Sequence, residues 1–151
     1  MKTLIILCFC MTTVFATEGW VDCGGSSLDN QLDISGCPRV PCQVEPGDRI
    51  TITGSGIAGV YSRTLAPLVL ITLAGIELDI TEELGLDLDA CNGLITGDCP
   101  IEVGESVVYT ATGTLFDLPG LSGELNVTMI IAGDAGRDDP VSCGVVLFEF
   151  I

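Results

Sequence analysis

Cysteine is the residue type with the most chemistry to offer in this chain, and its spacing says what that chemistry is. Eight cysteines occur: Cys8 and Cys10 within an apolar leader, and Cys23, Cys37, Cys42, Cys91, Cys99 and Cys143 beyond it. An even set of thiols in an oxidising compartment implies a disulfide framework, with many pairings open in principle. Cys37 and Cys42 enclose a short loop with Pro38 and Pro41, and Cys91 and Cys99 enclose a loop with Asn92, Gly93 and Gly97, so both have the look of local staples. Cys23 and Cys143 remain. If paired, they would tie the first strand to the last across a loop worth about 4–5 kcal/mol in chain-entropy terms. The competing use, a metal site, wants Cys-x-x-Cys spacing with histidine partners. The sequence has no histidine.

Catalysis has as little to work with. Without histidine the usual general base is missing, and no serine sits in a glycine-elbow context. Carboxylate pairs such as Asp87 with Asp89, or Asp138 with Asp139, are of the type that trades protons. With 21 acidic residues against 5 basic ones, such pairs arise by composition and read as solvated surface. No loop follows the Asp-x-Asp-x-Asp-Gly pattern of calcium ligands. A non-enzyme with no cofactor and no metal is therefore expected. The formal charge of −16 would be repelled by nucleic acid and by anionic membranes. High charge disorders a chain only when hydrophobicity is low, and here 48% of residues are apolar, so a charged coat over a greasy interior is expected.

The elements that must position these residues can be read from pattern. Lys2, an apolar run from Leu4 to Phe15 and the exit Val14-Phe15-Ala16 have the form of a secretory signal peptide, with cleavage after Ala16. A membrane anchor would need roughly 18–20 apolar residues, and this run stops before Glu18. Residues 17–151 are then one domain. Within them Gly and Pro punctuate segments of strict alternation, which is the period of a strand. Ile50 and Ile52 alternate with Arg49, Thr51 and Thr53; Ile76, Leu78 and Ile80 with Glu77 and Asp79. Val107, Tyr109, Ala111 and Gly113 share one face, as do Leu125, Val127, Met129 and Ile131, and the chain closes on Val146, Phe148 and Phe150. The run Leu68 to Leu73 reads as a central strand covered on both faces, with a short buried helix as its rival. Thr81 to Leu88 is either one weak helical turn or, given Gly85, a loop. About seven half-buried strands predict an all-β, two-sheet antiparallel sandwich, with a closed barrel as runner-up. Ala111 and Gly113, set against slender aliphatics, leave room for an apolar cavity in its interior. Asn126-Val127-Thr128 is the one glycosylation sequon beyond the leader, and its asparagine falls on the polar side of its strand.

The order Asp22-Cys23-Gly24, Cys37-Pro38-x-x-Pro41-Cys42, Gly47-Asp48, Cys91 to Cys99-Pro100-Ile101, Tyr109 and a last Cys143 resembles the ML lipid-recognition family across essentially the whole of residues 17–151. That family includes a soluble lysosomal sterol carrier and the group 2 mite allergens. The resemblance implies disulfides Cys23–Cys143, Cys37–Cys42 and Cys91–Cys99. It also implies an immunoglobulin-like β-sandwich whose sheets part around a lipid. By the same resemblance the cavity would be lined by Ile52, Leu70, Ile76, Leu78, Ile80, Tyr109, Leu115, Val127, Met129, Ile131, Val146 and Phe148. Two departures stand out: Ile80 occupies the place of an aromatic residue at the cavity mouth, and no lysine follows Lys2. The expected function is a secreted carrier of a sterol, fatty acid, phospholipid or similar apolar molecule, with the endolysosomal lumen as an alternative destination. Presentation of a lipid to a receptor in innate immunity, using the acidic segment Glu82 to Asp89, is the alternative role, and carriage of a chemical signal is a variant of the first.

Overall fold

The computed structural model describes residues 16–117 and 119–151, so the expected signal segment up to residue 15, with Cys8 and Cys10, lies outside the described residues. Ten strands follow in order: β1 Val21–Gly24, β2 Leu28–Ile34, β3 Cys42–Val44, β4 Arg49–Ile57, β5 Ala66–Leu73, β6 Ile76–Asp79, β7 Leu94–Thr96, β8 Ser106–Thr114, β9 Gly123–Ala132 and β10 Ser142–Phe150. A single 3₁₀ turn, Ala90–Gly93, precedes β7. One sheet has the order β1-β10-β9-β5-β6, with β3 added alongside β10, and the other has the order β2-β4-β8-β7. The two sheets form an immunoglobulin-like sandwich. Its pairings are antiparallel except that of β3, which runs parallel to β10 with Phe148 opposite Cys42.

The alternation in the sequence is what orients these strands. β4 starts directly after a turn in which the Asp48 carboxylate accepts the Glu45 amide at 2.8 Å. It then pairs with β8 from Arg49↔Thr114 to Ile57↔Ser106. Residues directly opposite one another share a face. Thr51 and Thr112 accordingly exchange a hydroxyl hydrogen bond of 2.8 Å on the outside, while Ile52 opposite Ala111 and Gly54 opposite Tyr109 look inward. In the other sheet Val127 opposite Val146 and Met129 opposite Gly144 look inward from β9 and β10. The run Leu68 to Leu73 is a strand rather than a helix because it has two apolar faces to satisfy. Val69 and Ile71 enter the interior, and Leu70 is buried on the outer face against Ile130 and Ala132.

Thr81 to Leu88 makes one turn and no helix. The Leu84 amide donates to Ile80 O at 3.1 Å and the Gly85 amide to Glu82 O at 2.9 Å, after which Gly85 takes a left-handed φ of 71°. The turn drives Leu84 and Leu86 into the core. A Cβ on Gly113 would stand 3.2 Å from Leu84 O and 3.2 Å from Leu86 Cδ2. The room expected at Ala111 and Gly113 is thus filled from outside the sheets, by leucines hidden in an acidic segment.

The interior divides in two. One cluster, around Ile71, Val146, Phe148, Leu84 and Leu86, joins both sheets. A second, around Ala58, Leu65, Ile101 and Val141, sits toward the other end. Between them lies a space lined by residues of both sheets.

Candidate functional site

The gap between the two clusters is a cavity of about 120 Å³, smaller than ordinary ligand pockets of about 300–1,000 Å³. Its floor is β4 and β8, through Ile52, Gly54, Gly56, Val107 and Tyr109; its roof is β9 and β10, through Met129, Ile131 and Gly144. Trp20 and Leu32 close one flank, and Leu65, Leu94 and Ile101 the far end. Most of these walls are aliphatic and aromatic, with Ser27, Asn30 and Ser142 along one side; apolar lining of this kind accepts apolar guests.

Glycine is what makes the room. Gly54 lies in mid-strand without a left-handed backbone, and a Cβ placed on it would touch nothing within 4 Å, because it would project into the cavity. Gly144, opposite Met129, gives the Trp20 indole its place: a Cβ there would lie 3.3 Å from Trp20 Cε3. Gly93 does the same for Tyr109, whose ring would meet its Cβ at 2.5 Å. Burial pushes the Tyr109 phenol up to about 12, with the Asp87 carboxylate adding to the effect. The ring is therefore neutral at any physiological pH and forms part of an uncharged wall.

Twelve residues were expected to line such a cavity. The structure brings Ile52, Tyr109, Met129 and Ile131 together around it. Val127, Val146 and Phe148 lie in the filled cluster, with Ile80 and Leu115 packed against that cluster's edge. Leu70 is on the outer face of its sheet, because β5 alternates and its inward positions are Val69 and Ile71. Ile76 and Leu78 are on the edge strand β6, 64% and 42% exposed. They project from the inward side of the edge strand, opposite Leu73 and Ile71, and are left uncovered there. Pattern reading missed Trp20, Leu32, Ala58, Leu65, Leu94, Ile101 and Val141. The Gly54-Ser55-Gly56 run was the legible signal, since glycine inside a strand marks a kink or a close approach.

The rim is stapled. Cys23–Cys143 joins β1 to β10, Cys91–Cys99 ties the 3₁₀ turn to the segment ahead of Ile101, and Cys37–Cys42 sits at the filled end. Asp134 completes the hollow end. Its carboxylate accepts the amides of Arg63 at 3.0 Å and Thr64 at 3.1 Å and the Thr64 hydroxyl at 2.7 Å. Those hydrogen bonds, the Arg63 amide first, hold the Asp134 carboxyl well below the usual carboxylate range. Asn126, the sequon asparagine, is exposed on the outer face of β9. Among the described residues no cluster of side chains is arranged to hold a metal ion, and no helix is long and apolar enough to cross a membrane.

Comparison with known proteins agrees with this architecture. Mite group 2 allergen Lep d 2 of Lepidoglyphus destructor is 28% identical over 127 residues, covering 83% of this chain and 81% of that protein. Mite group 2 allergen Pso o 2 of Psoroptes ovis is 26% identical over 141 residues, 90% of each. Among solved structures, a Niemann-Pick type C2 protein from Japanese carpenter ant superimposes with a TM-score of 0.69 at 14% identity, over 88% of this chain and 99% of that one. Chicken MD-1 complexed with lipid IVa does so with a TM-score of 0.54 at 14% identity, over 87% and 88%. At that identity the two structures speak for the fold alone. The family description ML domain matches residues 19–150, nearly the whole of the described chain, and the chain belongs to the ML-domain family.

Proposed function

We propose that this protein is a secreted, non-enzymatic carrier that shelters an apolar small molecule, such as a sterol or fatty acid, in the cavity between its two sheets. The observation that carries the reading is an unfilled, aliphatic-walled space beside a densely filled one, framed by the same strands. Burial of guest surface there stabilises the complex by roughly 25 cal/mol per Å². Apolar walls discriminate weakly between close homologues. Membership of the ML-domain family supports the reading, as does the likeness in fold to a protein solved with lipid IVa. Ile52, Tyr109, Met129 and Ile131 are the expected ligand contacts, joined by Trp20 and Leu32. Three disulfides suit an oxidising compartment outside the cytosol, in keeping with the expected signal segment at residues 1–16. Asn126, exposed on β9 away from the cavity, is the expected position for a glycan.

Presentation of the lipid to a receptor is the second reading. Its support is the turn in which Leu84 and Leu86 are anchored in the core while Glu82, Glu83 and Asp87 face solvent. A receptor that bound only the lipid-loaded protein would favour it over simple carriage.

Native mass spectrometry of protein from its natural source should reveal a stoichiometric hydrophobic guest, and delipidated protein should take up a fluorescent sterol or fatty acid. Met129→Asp, which puts a charge in the cavity, should abolish uptake, while Leu78→Asp on the exposed edge should leave it intact. Undiminished uptake by Met129→Asp would count decisively against the cavity as the binding site.

A further inference from the structure

One flank of the cavity is polar, and the chain goes to some length to build it. Strand β2 carries a bulge between Leu28 and Gln31 where it pairs with β4, and Asp29 within it takes a left-handed φ of 53°. Bulges re-aim side chains beside functional sites, and a non-glycine residue in this region is strained unless its surroundings demand it. Here the bulge presents Asn30 to the cavity. The Ser27 hydroxyl donates to Asn30 Oδ1 at 2.7 Å, and Asn30 Nδ2 donates to Asp22 Oδ2 at 2.9 Å. The other Asp22 oxygen accepts the Gly24 amide at 2.8 Å. One glycine yields space to this group: a Cβ on Gly56 would lie 2.6 Å from Asn30 Oδ1.

Counting donors and acceptors shows what the flank is equipped to meet. A carboxylate offers Asn30 only acceptors, so the Asn30 amide must turn its N–H groups to Asp22 and leave Oδ1 toward Ser27 and the cavity. Asn30 Nδ2 spends its protons on Asp22 and, at 3.3 Å, on Ser27 O. Ser27 spends its proton on Asn30. What remains free on both is lone pairs. Ser142, on the cavity side of β10, has no side-chain hydrogen bond among the described residues and supplies one hydroxyl able to give or take. Gln31 and Ser55 also border the cavity, but they alternate with Leu32 and Gly54 and so turn their side chains to the opposite face. None of the four arginines of the described chain borders the cavity; Arg39, Arg63 and Arg137 are paired with Glu18, Asp134 and Glu77 on the surface.

From this arrangement we infer that Ser27 and Asn30, the latter oriented by Asp22 from the solvent side, form a head-group site that selects a guest ending in an uncharged hydroxyl over one ending in a carboxylate. The inference rests on the carrier reading and sharpens its ligand class. A hydroxyl donates its proton to Asn30 Oδ1 or Ser27 Oγ and can accept from Ser142. A carboxylate brings acceptors to acceptors and finds no cation to offset its desolvation.

The test uses delipidated full-length mature protein and two probes of equal chain length, 1-dodecanol and dodecanoate, each displacing a neutral fluorescent apolar dye at pH 7.4. Dodecanol should bind roughly tenfold tighter than dodecanoate, the size of a charge-assisted mismatch at one head group. Asn30→Leu, which deletes the acceptor, and Asp22→Asn, which lets the Asn30 amide turn its N–H groups inward, should each contract that ratio severalfold. Equal affinity of the two probes for the unaltered protein would overturn the inference while leaving the carrier reading standing. A ratio unmoved in whichever variants fold would overturn it as well. If dye, dodecanol and dodecanoate all fail to bind, the carrier reading itself falls and takes this inference with it.

Discussion

Around Val146 and Phe148 the two sheets touch through close-packed side chains, whereas Met129 and Ile52, a few residues further along the same strands, pack against that cluster on one side and border open space on the other. The filled end is held by what it buries. Leu84 and Leu86 complete it from the side, and its only disulfide, Cys37–Cys42, spans a short loop. The hollow end packs only through the smaller cluster around Ala58, Leu65, Ile101 and Val141, beyond the void. It is held at the rim by covalent and polar ties: Cys23–Cys143, Cys91–Cys99 and the Asp134 latch to Arg63 and Thr64. Ser62, almost fully buried, extends that latch by donating to Thr64 O and accepting from the Asp134 amide, each at 2.8 Å. An interior void in a small sandwich thus requires stiffening around its edge.

The sharpest way to break this comparison is to remove volume from each end in turn. Phe148→Ala, at a position 3% exposed, should cost about 3–5 kcal/mol of unfolding free energy. Met129→Ala should cost only about 1–2 kcal/mol, because one side of that residue already faces a void and loses few contacts. Equal losses in urea titrations would mean the two ends are packed alike.

Acid should find the hollow end first. Folded Asp134 takes up its proton only at lower pH than an ordinary aspartate of 3.8. Its contribution to stability is accordingly complete above that value and is lost as pH falls below it toward the folded value. The latch is therefore intact at the pH of a lysosome and opens only in stronger acid. Unfolding free energy measured from pH 5 to pH 2 should fall less steeply in Asp134→Asn than in the parent protein. Parallel curves would show that the latch contributes nothing.

The smallest change in stability should come from filling the cavity. Gly54→Leu adds a side chain where a Cβ meets open space and where the backbone is ordinary strand, and it removes a strand glycine that costs roughly 0.5–1 kcal/mol. Stability should rise by no more than about 1 kcal/mol, and uptake of a fluorescent sterol should fall sharply. Unaltered uptake would place the guest elsewhere.

Much of this was legible in the residues. Alternation gave the strands, since a half-buried strand must be apolar at every second position, and cysteine spacing pointed to the local staples. The doubly covered β5 could be read from its unbroken apolar run. The cavity's address could not. Alternation says which face of a strand looks inward, but not which stretch of that face meets the opposite sheet. Val127 and Met129 share a face two residues apart, and only the second borders the void. Ile76 and Leu78 alternate as an interior strand does, yet β6 is an edge strand whose inward side is left uncovered. Leu84 and Leu86 were masked by the acidic residues around them, because a turn has no period to betray which side chains it hides. The bulge at Asp29 was equally silent, since aspartate seldom signals a left-handed backbone from its type alone.

The packing of Trp20 on Gly144 has an optical consequence. That indole is the chain's single tryptophan, and it stands on the cavity wall. Its emission senses the polarity of its surroundings, so arrival of a hydrocarbon and departure of any water should shift its colour toward the blue. The molecule thereby carries its own reporter of occupancy, readable without a label.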